Sequence, residues 1–262
     1  MIKEPYKDIP EKYASVVKSL LSASDEYHRV HARRMARTLQ TFAESNPTGK
    51  LLEVGTSHLI PLAIKELELD VEVSVTDFDL SKPYSGKMEC SLNNKTVEVD
   101  VYRVNIEEST IPVPDETFDV VLLCEVLEHM EVDPMFMLSE INRITKQGGK
   151  LILTTPNSTS SRNIHKILNG YEPYFYMQYQ KKRTLYRHNY EYSLPTLRSV
   201  MRSAGFEGKF WIEDSFEDGI ISIPLQMQML GYKMEHVGDN IFGVLQKTRG
   251  VIDRYPKEIY VD

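Results

Sequence analysis

The segment Cys124-Glu125-Val126-Leu127-Glu128-His129, "CEVLEH", sets two carboxylates and an imidazole at i, i+3 and i+4. On one turn of α-helix the three would share a face. Oxygen donors beside an imidazole suit magnesium, manganese or zinc, and the same groups can act as general acid or base. Glu125, Glu128 and His129 are therefore candidates for metal binding, and Glu128 and His129 for catalysis. A fourth ligand would have to come from a distal histidine, His165 or His188, and His188 is a catalytic candidate too.

A second stretch, Lys50 to His58 ("KLLEVGTSH"), reads as a strand running into a tight turn with one glycine, Gly55. A dinucleotide turn needs a further glycine so that the backbone can approach a pyrophosphate, and Ser57 stands there instead. A ligand without phosphates needs less bare backbone. S-adenosylmethionine is such a ligand: Ser57 could lie beside it and cap the next helix, Glu53 could orient the turn or the amino group, and Asp77 could accept both ribose hydroxyls. Pro61 is tolerated in the first turn of that helix. The bland alternative is a strand, turn and helix with a solvated carboxylate.

The elements that must position these residues follow from periodicity. Residues 11–44 carry helical apolar stripes broken near Ser22 to Asp25, and the run ends at Asn46-Pro47-Thr48-Gly49. Strands are expected at 50–54, 71–76, 97–104, 118–123, 150–154, 206–212 and 241–247, with helices at 59–68, 133–146 and 194–204. This alternation predicts an α/β fold: a doubly wound, mostly parallel, seven-stranded sheet with helices on both faces. The expected organisation is an N-terminal helical cap at 1–48 and a ligand-binding domain at 49–262 carrying an insert at 158–192. In such a sheet ligands bind beyond the carboxyl ends of the strands. The residues there are Glu53 to Ser57, Asp77 and Asp79, Asn105 and Ile106, Cys124 to His129, and Thr155 to Asn157.

The block "FDVVLLCEVLEHMEVDPMFMLSEINRITKQGGKLILTTPN", residues 118–157, resembles the middle of class I S-adenosylmethionine-dependent methyltransferases, and the resemblance extends from Leu51 to about Lys247. It implies a Rossmann-like methyltransferase fold and S-adenosylmethionine as cofactor. Carried onto this sequence, it gives Glu53 and Gly55 the methionine part, Asp77 the ribose, and Asn105 with Ile106 the adenine; Ser57, Cys124 and Glu125 complete the expected cofactor site. Asp79 competes with Asp77 for the ribose. Ser57 and Leu59 stand where the family often has glycine, and Asn105 where it often has aspartate. The segment "RHNYEY" resembles the distal histidine region of methyltransferases that use a divalent ion on the acceptor hydroxyls, which favours His188 over His165 as the fourth ligand to magnesium, manganese or zinc.

The insert holds Tyr171, Tyr174, Phe175, Tyr176, Tyr179, Tyr186, Tyr190 and Tyr192, and is too long for an ordinary connection. It is expected to be a lid whose aromatic walls suit a sugar or ring. Lys181, Lys182, Arg183 and Arg187 could meet a phosphate, and the amino-terminal Tyr27, His28, His31, Arg33 and Arg34 could close the other side. The expected activity is O-methylation of a small polar metabolite or a sugar or glycan precursor. The alternatives are metal-assisted 2′-O-methylation of small-RNA 3′ ends and a cofactor-less binding protein of this fold. A net charge of −7 argues against nucleic acid as a partner. No apolar run approaches the roughly 18 residues of a membrane span, and the polar start predicts a cytoplasmic protein. The two cysteines, Cys90 and Cys124, lack metal-like spacing. Oligomeric state is not legible.

Overall fold

The computed structural model describes residues 6, 8–22, 26–173, 187–215, 229, 231 and 237–261. Two helices, α1 (Glu11–Leu20) and α2 (Glu26–Glu44), precede the strand β1 (Gly49–Val54). Then follow α3 (Leu59–Glu66), β2 (Val71–Asp77), β3 (Ser85–Leu92), β4 (Lys95–Arg103) and β5 (Phe118–Cys124). The chain continues through a short 3-10 turn at Leu127–His129, α4 (Pro134–Ile144), β6 (Thr145–Pro156), α5 (Ser161–Leu168), α6 (Leu194–Ser203), β7 (Phe206–Glu213) and β8 (Asn240–Lys247).

The strands form one sheet in the order β3-β4-β2-β1-β5-β6-β8-β7. β4, β2, β1, β5 and β6 run parallel, while β3, β8 and β7 are antiparallel to their neighbours. Among the described residues the sheet has eight strands where the sequence pattern predicts seven. The extra one, β3, is the first arm of a hairpin with β4 that turns at Asn93-Asn94, both left-handed with φ 45° and 62°. Paired asparagines suit such a turn because their short polar side chains tolerate positive φ. The short helix α5 is also absent from the sequence reading. Its Ile164, Ile167 and Leu168 lie at helical spacing, but the helix has only eight residues and buries Ser161 and Asn163, leaving Ile167 and Leu168 exposed, so it does not read as a core helix.

The run "FDVVLL" is apolar apart from Asp119, which pairs with Lys146, because β5 is covered on both sides. Val120 and Leu122 face a core with α1, α2 and α3, whereas Val121 and Leu123 face one with α4 and α6. The N-terminal helices thus share a hydrophobic core with the sheet. Asp133 caps α4 by accepting from Phe136 N at 3.0 Å, with Pro134 in the first turn, and this cap ends the 3-10 turn region from which the site is built. Among the described residues no helix is long and apolar enough to cross a membrane. The expected lid falls partly outside the described residues, which exclude Tyr174, Phe175, Tyr176, Tyr179, Lys181, Lys182, Arg183 and Tyr186. Tyr192 is a core residue packed with Leu194 and Leu197, so it is not a pocket wall.

Candidate active site

Neighbouring strands β1 and β5 run in parallel, and their carboxyl ends open side by side. After β1 the chain turns at Gly55 with φ 69°, a conformation that costs glycine nothing. Gly55 N donates to Thr76 Oγ1 at 2.8 Å, tying the turn to β2. Ser57 Oγ donates to Glu53 Oε1 at 2.7 Å, and Ser57 N donates to the same oxygen at 3.3 Å. The other oxygen, Oε2, is buried without a hydrogen-bond partner among the described residues. Burial pushes the Glu53 carboxyl up to about 7, against the two bonds from Ser57. A buried oxygen left in this state asks for a polar group from a ligand.

At the end of β2, Asp77 lies 3.6 Å from Arg103 Nε and remains partly exposed. Asp79 is engaged locally, accepting from Ser81 Oγ at 2.5 Å and pairing with Lys82 at 2.8 Å, which holds it down at about 2. Of the two acids, Asp77 is the one left at the strand end. After β4, Asn105 Oδ1 accepts from Glu107 N at 3.2 Å, and Ile106 packs against the core. At the end of β5, burial raises the Cys124 thiol to about 12, so it stays protonated.

The spacing of Glu125, Glu128 and His129 predicts one shared helical face, and the structure corrects this. Glu125 is left-handed, with φ 56°, and only Leu127 to His129 form a turn. The chain leaves β5 too abruptly for an α-helix to begin there. Glu125 instead swings to Arg34 of α2 at 2.8 Å and accepts from Asn240 Nδ2 at 3.2 Å. It is not part of the donor cluster.

Among the described residues that cluster consists of Glu128, His129 and His188, whose donor atoms lie within 4.8 Å of one another. Glu128 is fully buried; its Oε2 accepts from Thr155 Oγ1 at 3.0 Å, while Oε1 has no hydrogen-bond partner among the described residues. Burial, reinforced by Glu125, raises its carboxyl well above the usual range. His129 Nε2 lies 3.9 Å from that Oε1. His129 Nδ1 lies 2.9 Å from the Arg187 carbonyl, which can only accept, so Nδ1 carries the proton and Nε2 offers a lone pair. Burial lowers the His129 pKa, keeping the ring neutral near pH 7, although the Arg187 bond opposes this. His188 Nδ1 meets Glu191 at 2.9 Å, and the two imidazoles stand edge to face, 5.0 Å apart.

The segment that delivers His188 is pinned from below. Asn189 N and Tyr190 N donate to the Glu128 carbonyl at 2.7 and 3.2 Å, and Asn189 Nδ2 donates to the His129 carbonyl at 2.9 Å. His165 is exposed on α5 and engages Asn169, outside the cluster. From α2, Arg34 is buried and the Tyr27 ring packs on His31 with centroids 4.5 Å apart and planes tilted at 49°. Burial and the Arg34 charge hold His31 neutral, at about 4. Sequence reading leaves out Thr155 as a partner of Glu128, Glu191 as the orienter of His188, and Asn240. Only Thr155 carries a signal, its place at the end of a strand.

A sequence model of a family described as a methyltransferase domain matches residues 27–208. No curated protein sequence matches. Among solved structures, a SAM-dependent methyltransferase from Archaeoglobus fulgidus superposes with TM-score 0.54 at 16% identity, covering 81% of this chain and 92% of that one. A SAM-dependent methyltransferase from Thermotoga maritima, described as a possible histamine N-methyltransferase, gives TM-score 0.53 at 20% identity, covering 91% and 99%. The [4+2]-cyclase SpnF gives TM-score 0.53 at 16% identity, covering 94% of each chain. At these identities the likeness is one of fold.

Proposed function

Because the chain belongs to the class I S-adenosylmethionine-dependent methyltransferases, we propose that its acceptor is a hydroxyl of a small polar metabolite or of a sugar or glycan precursor, seated against Glu128, His129 and His188. The observation that carries this reading is the buried Glu128 Oε1, which has no hydrogen-bond partner among the described residues, with His129 Nε2 at 3.9 Å from it. A protonated Glu128 can donate to an acceptor oxygen, and a neutral His129 can take its proton. The cofactor would lie over Gly55, with Glu53 Oε2 and Asp77 as its polar contacts, and with Ser57, Asn105, Ile106 and Cys124 around it. Asp77 supports this role because it ends β2 beside the turn, while Asp79 is tied to Ser81 and Lys82. Methyl transfer is an in-line displacement, so holding donor and acceptor in line supplies much of the rate.

The same donor set favours a second way of activating the hydroxyl. Metal-bound histidines almost always donate their other ring N–H to a carboxylate or a backbone carbonyl. His129 does so to Arg187, and His188 to Glu191. Magnesium, manganese or zinc held by Glu128, His129 and His188 would supply a Lewis acid that lowers the acceptor's pKa. The chain's part is then to fix both imidazoles through their Nδ1 partners. A ribose diol at a small-RNA 3′ end offers similar chemistry, and the net charge of −7 weighs against it. The cofactor-less binding protein gives way to the family assignment.

The deciding experiment supplies labelled S-adenosylmethionine with neutral sugars, nucleotide sugars, polar metabolites and a short RNA, using protein treated with EDTA and protein reloaded with manganese. Label on a hydroxyl of a sugar or metabolite is the expected result. Label only on RNA, or only on nitrogen, would overturn it. Full activity after EDTA that manganese does not raise would remove the metal and leave His129 as the base.

A further inference from the structure

A groove of about 430 Å³ runs between α2 and the edge strand β7, away from the donor cluster. Arg37, Gln40 and Glu44 line it from the helix, and Lys209, Trp211 and Glu213 from the strand. The polar groups form one ribbon. Trp211 Nε1 donates to Glu213 Oε1 at 3.0 Å, Arg37 Nε lies 3.5 Å from the same oxygen, Arg37 Nη1 donates to Gln40 Oε1 at 2.7 Å, and Gln40 Nε2 donates to Glu44 Oε1 at 3.1 Å. Phe242 stacks on the indole, with centroids 5.6 Å apart and planes at 23°, and Lys209 Nζ lies over the ring at 5.7 Å from its centroid, a flexible side chain that a ligand could displace.

We propose that this groove is a saccharide subsite that holds a neutral sugar ring of an extended acceptor. An aromatic ring fixed by packing gives the apolar C–H face of a pyranose a rigid platform, and planar amide, guanidinium and carboxylate groups match its hydroxyls. The two cations and two anions in the lining cancel, so the groove favours neither an anionic nor a cationic ligand. Side-chain contacts link it to the end of β5. Arg37 stands one helical turn beyond Arg34, which pairs with Glu125, and Glu213 is the ladder partner of Asn240, whose amide reaches Glu125. From Arg34 to Glu44 the helix advances about 15 Å, enough to separate a reacting sugar from one bound further along.

This proposal rests on the glycan reading of the acceptor, and its test separates the two. Trp211 is the single tryptophan of the chain, so intrinsic fluorescence reports on this groove directly. The full-length protein with S-adenosylhomocysteine is titrated with maltotetraose, mannotetraose and tetra-N-acetylchitotetraose. At least one should give a saturable change in emission. Trp211→Ala and Gln40→Ala should each weaken binding of that saccharide at least tenfold by calorimetry while S-adenosylhomocysteine affinity stays within twofold. Gln40→Ala changes a helix surface residue and guards against misfolding of the tryptophan variant. No saturable change with any of the three, or binding that both variants leave within twofold, would overturn the subsite. A saccharide that binds at Trp211 and gains no methyl group keeps the subsite and refutes the acceptor reading for that sugar. A methylated saccharide whose KM neither variant changes does the reverse.

Discussion

Arg34 of the N-terminal helix α2 pairs at 2.8 Å with Glu125, the residue that follows β5, and both side chains are largely removed from solvent. The pair joins two parts of the chain that share no local structure. Breaking one partner of a buried pair leaves a charge without compensation, at a typical cost of about 3 kcal/mol. Arg34→Met should lower stability by roughly this amount in chemical denaturation. The double variant Arg34→Met/Glu125→Gln should recover part of it. A double variant no more stable than Arg34→Met would show that the lost stability came from packing.

Asp77 and Asp79 compete on sequence for the ribose, and the structure separates them. A carboxylate accepting two hydroxyl hydrogen bonds should contribute about 1.5 to 3 kcal/mol. Asp77→Ala is expected to weaken S-adenosylhomocysteine binding at least tenfold by calorimetry, and Asp79→Ala to leave it within about threefold. The opposite ranking would transfer the role to Asp79.

Glu53 gives the protein without cofactor a defined pH dependence. Its carboxyl is pushed up from an ordinary 4.5 to about 7 by burial. Between those values the folded chain holds a proton that the unfolded chain has released, so this contribution to stability is fully present below pH 4.5 and is lost as pH rises to 7. Glu53→Gln keeps a neutral group at every pH. In thermal melts without cofactor it should match the wild type near pH 4.5 and exceed it at pH 8. Parallel melting curves for the two proteins across this range would refute the shift.

The split between Glu125 and Glu128 predicts unequal effects on cation binding. Glu128→Gln or His188→Ala should weaken manganese binding at least tenfold, since each removes a donor from a set of three. Glu125→Gln should leave it within about threefold, because Glu125 faces Arg34 and Asn240. Paramagnetic relaxation of water by bound manganese measures this without relying on activity. Equal losses in all three variants would return Glu125 to the ligand set.

The sequence alone determined the layered α/β architecture and the identity of the residues at the strand ends. Period-2 and period-3.6 patterns are local, and the apolar run Val120 to Leu123 of β5 reports burial on both faces whatever its neighbours are. Gly55, Asp77 and the Glu128-His129 pair could be read in the same way, as residues placed by the end of an adjacent strand. β3 was not expected from the sequence, because its arm is mostly exposed and only weakly apolar. The tertiary structure decided which side chains meet. Arg187 reaches His129 from 58 positions away, and Asn240 reaches Glu125 from 115. Such encounters depend on how crossover connections return the chain to the sheet edge, and no local periodicity encodes that path. It also decided that Glu125 leaves the cluster: the left-handed turn after β5 points its carboxylate at α2, where spacing along an ideal helix would have placed it beside Glu128.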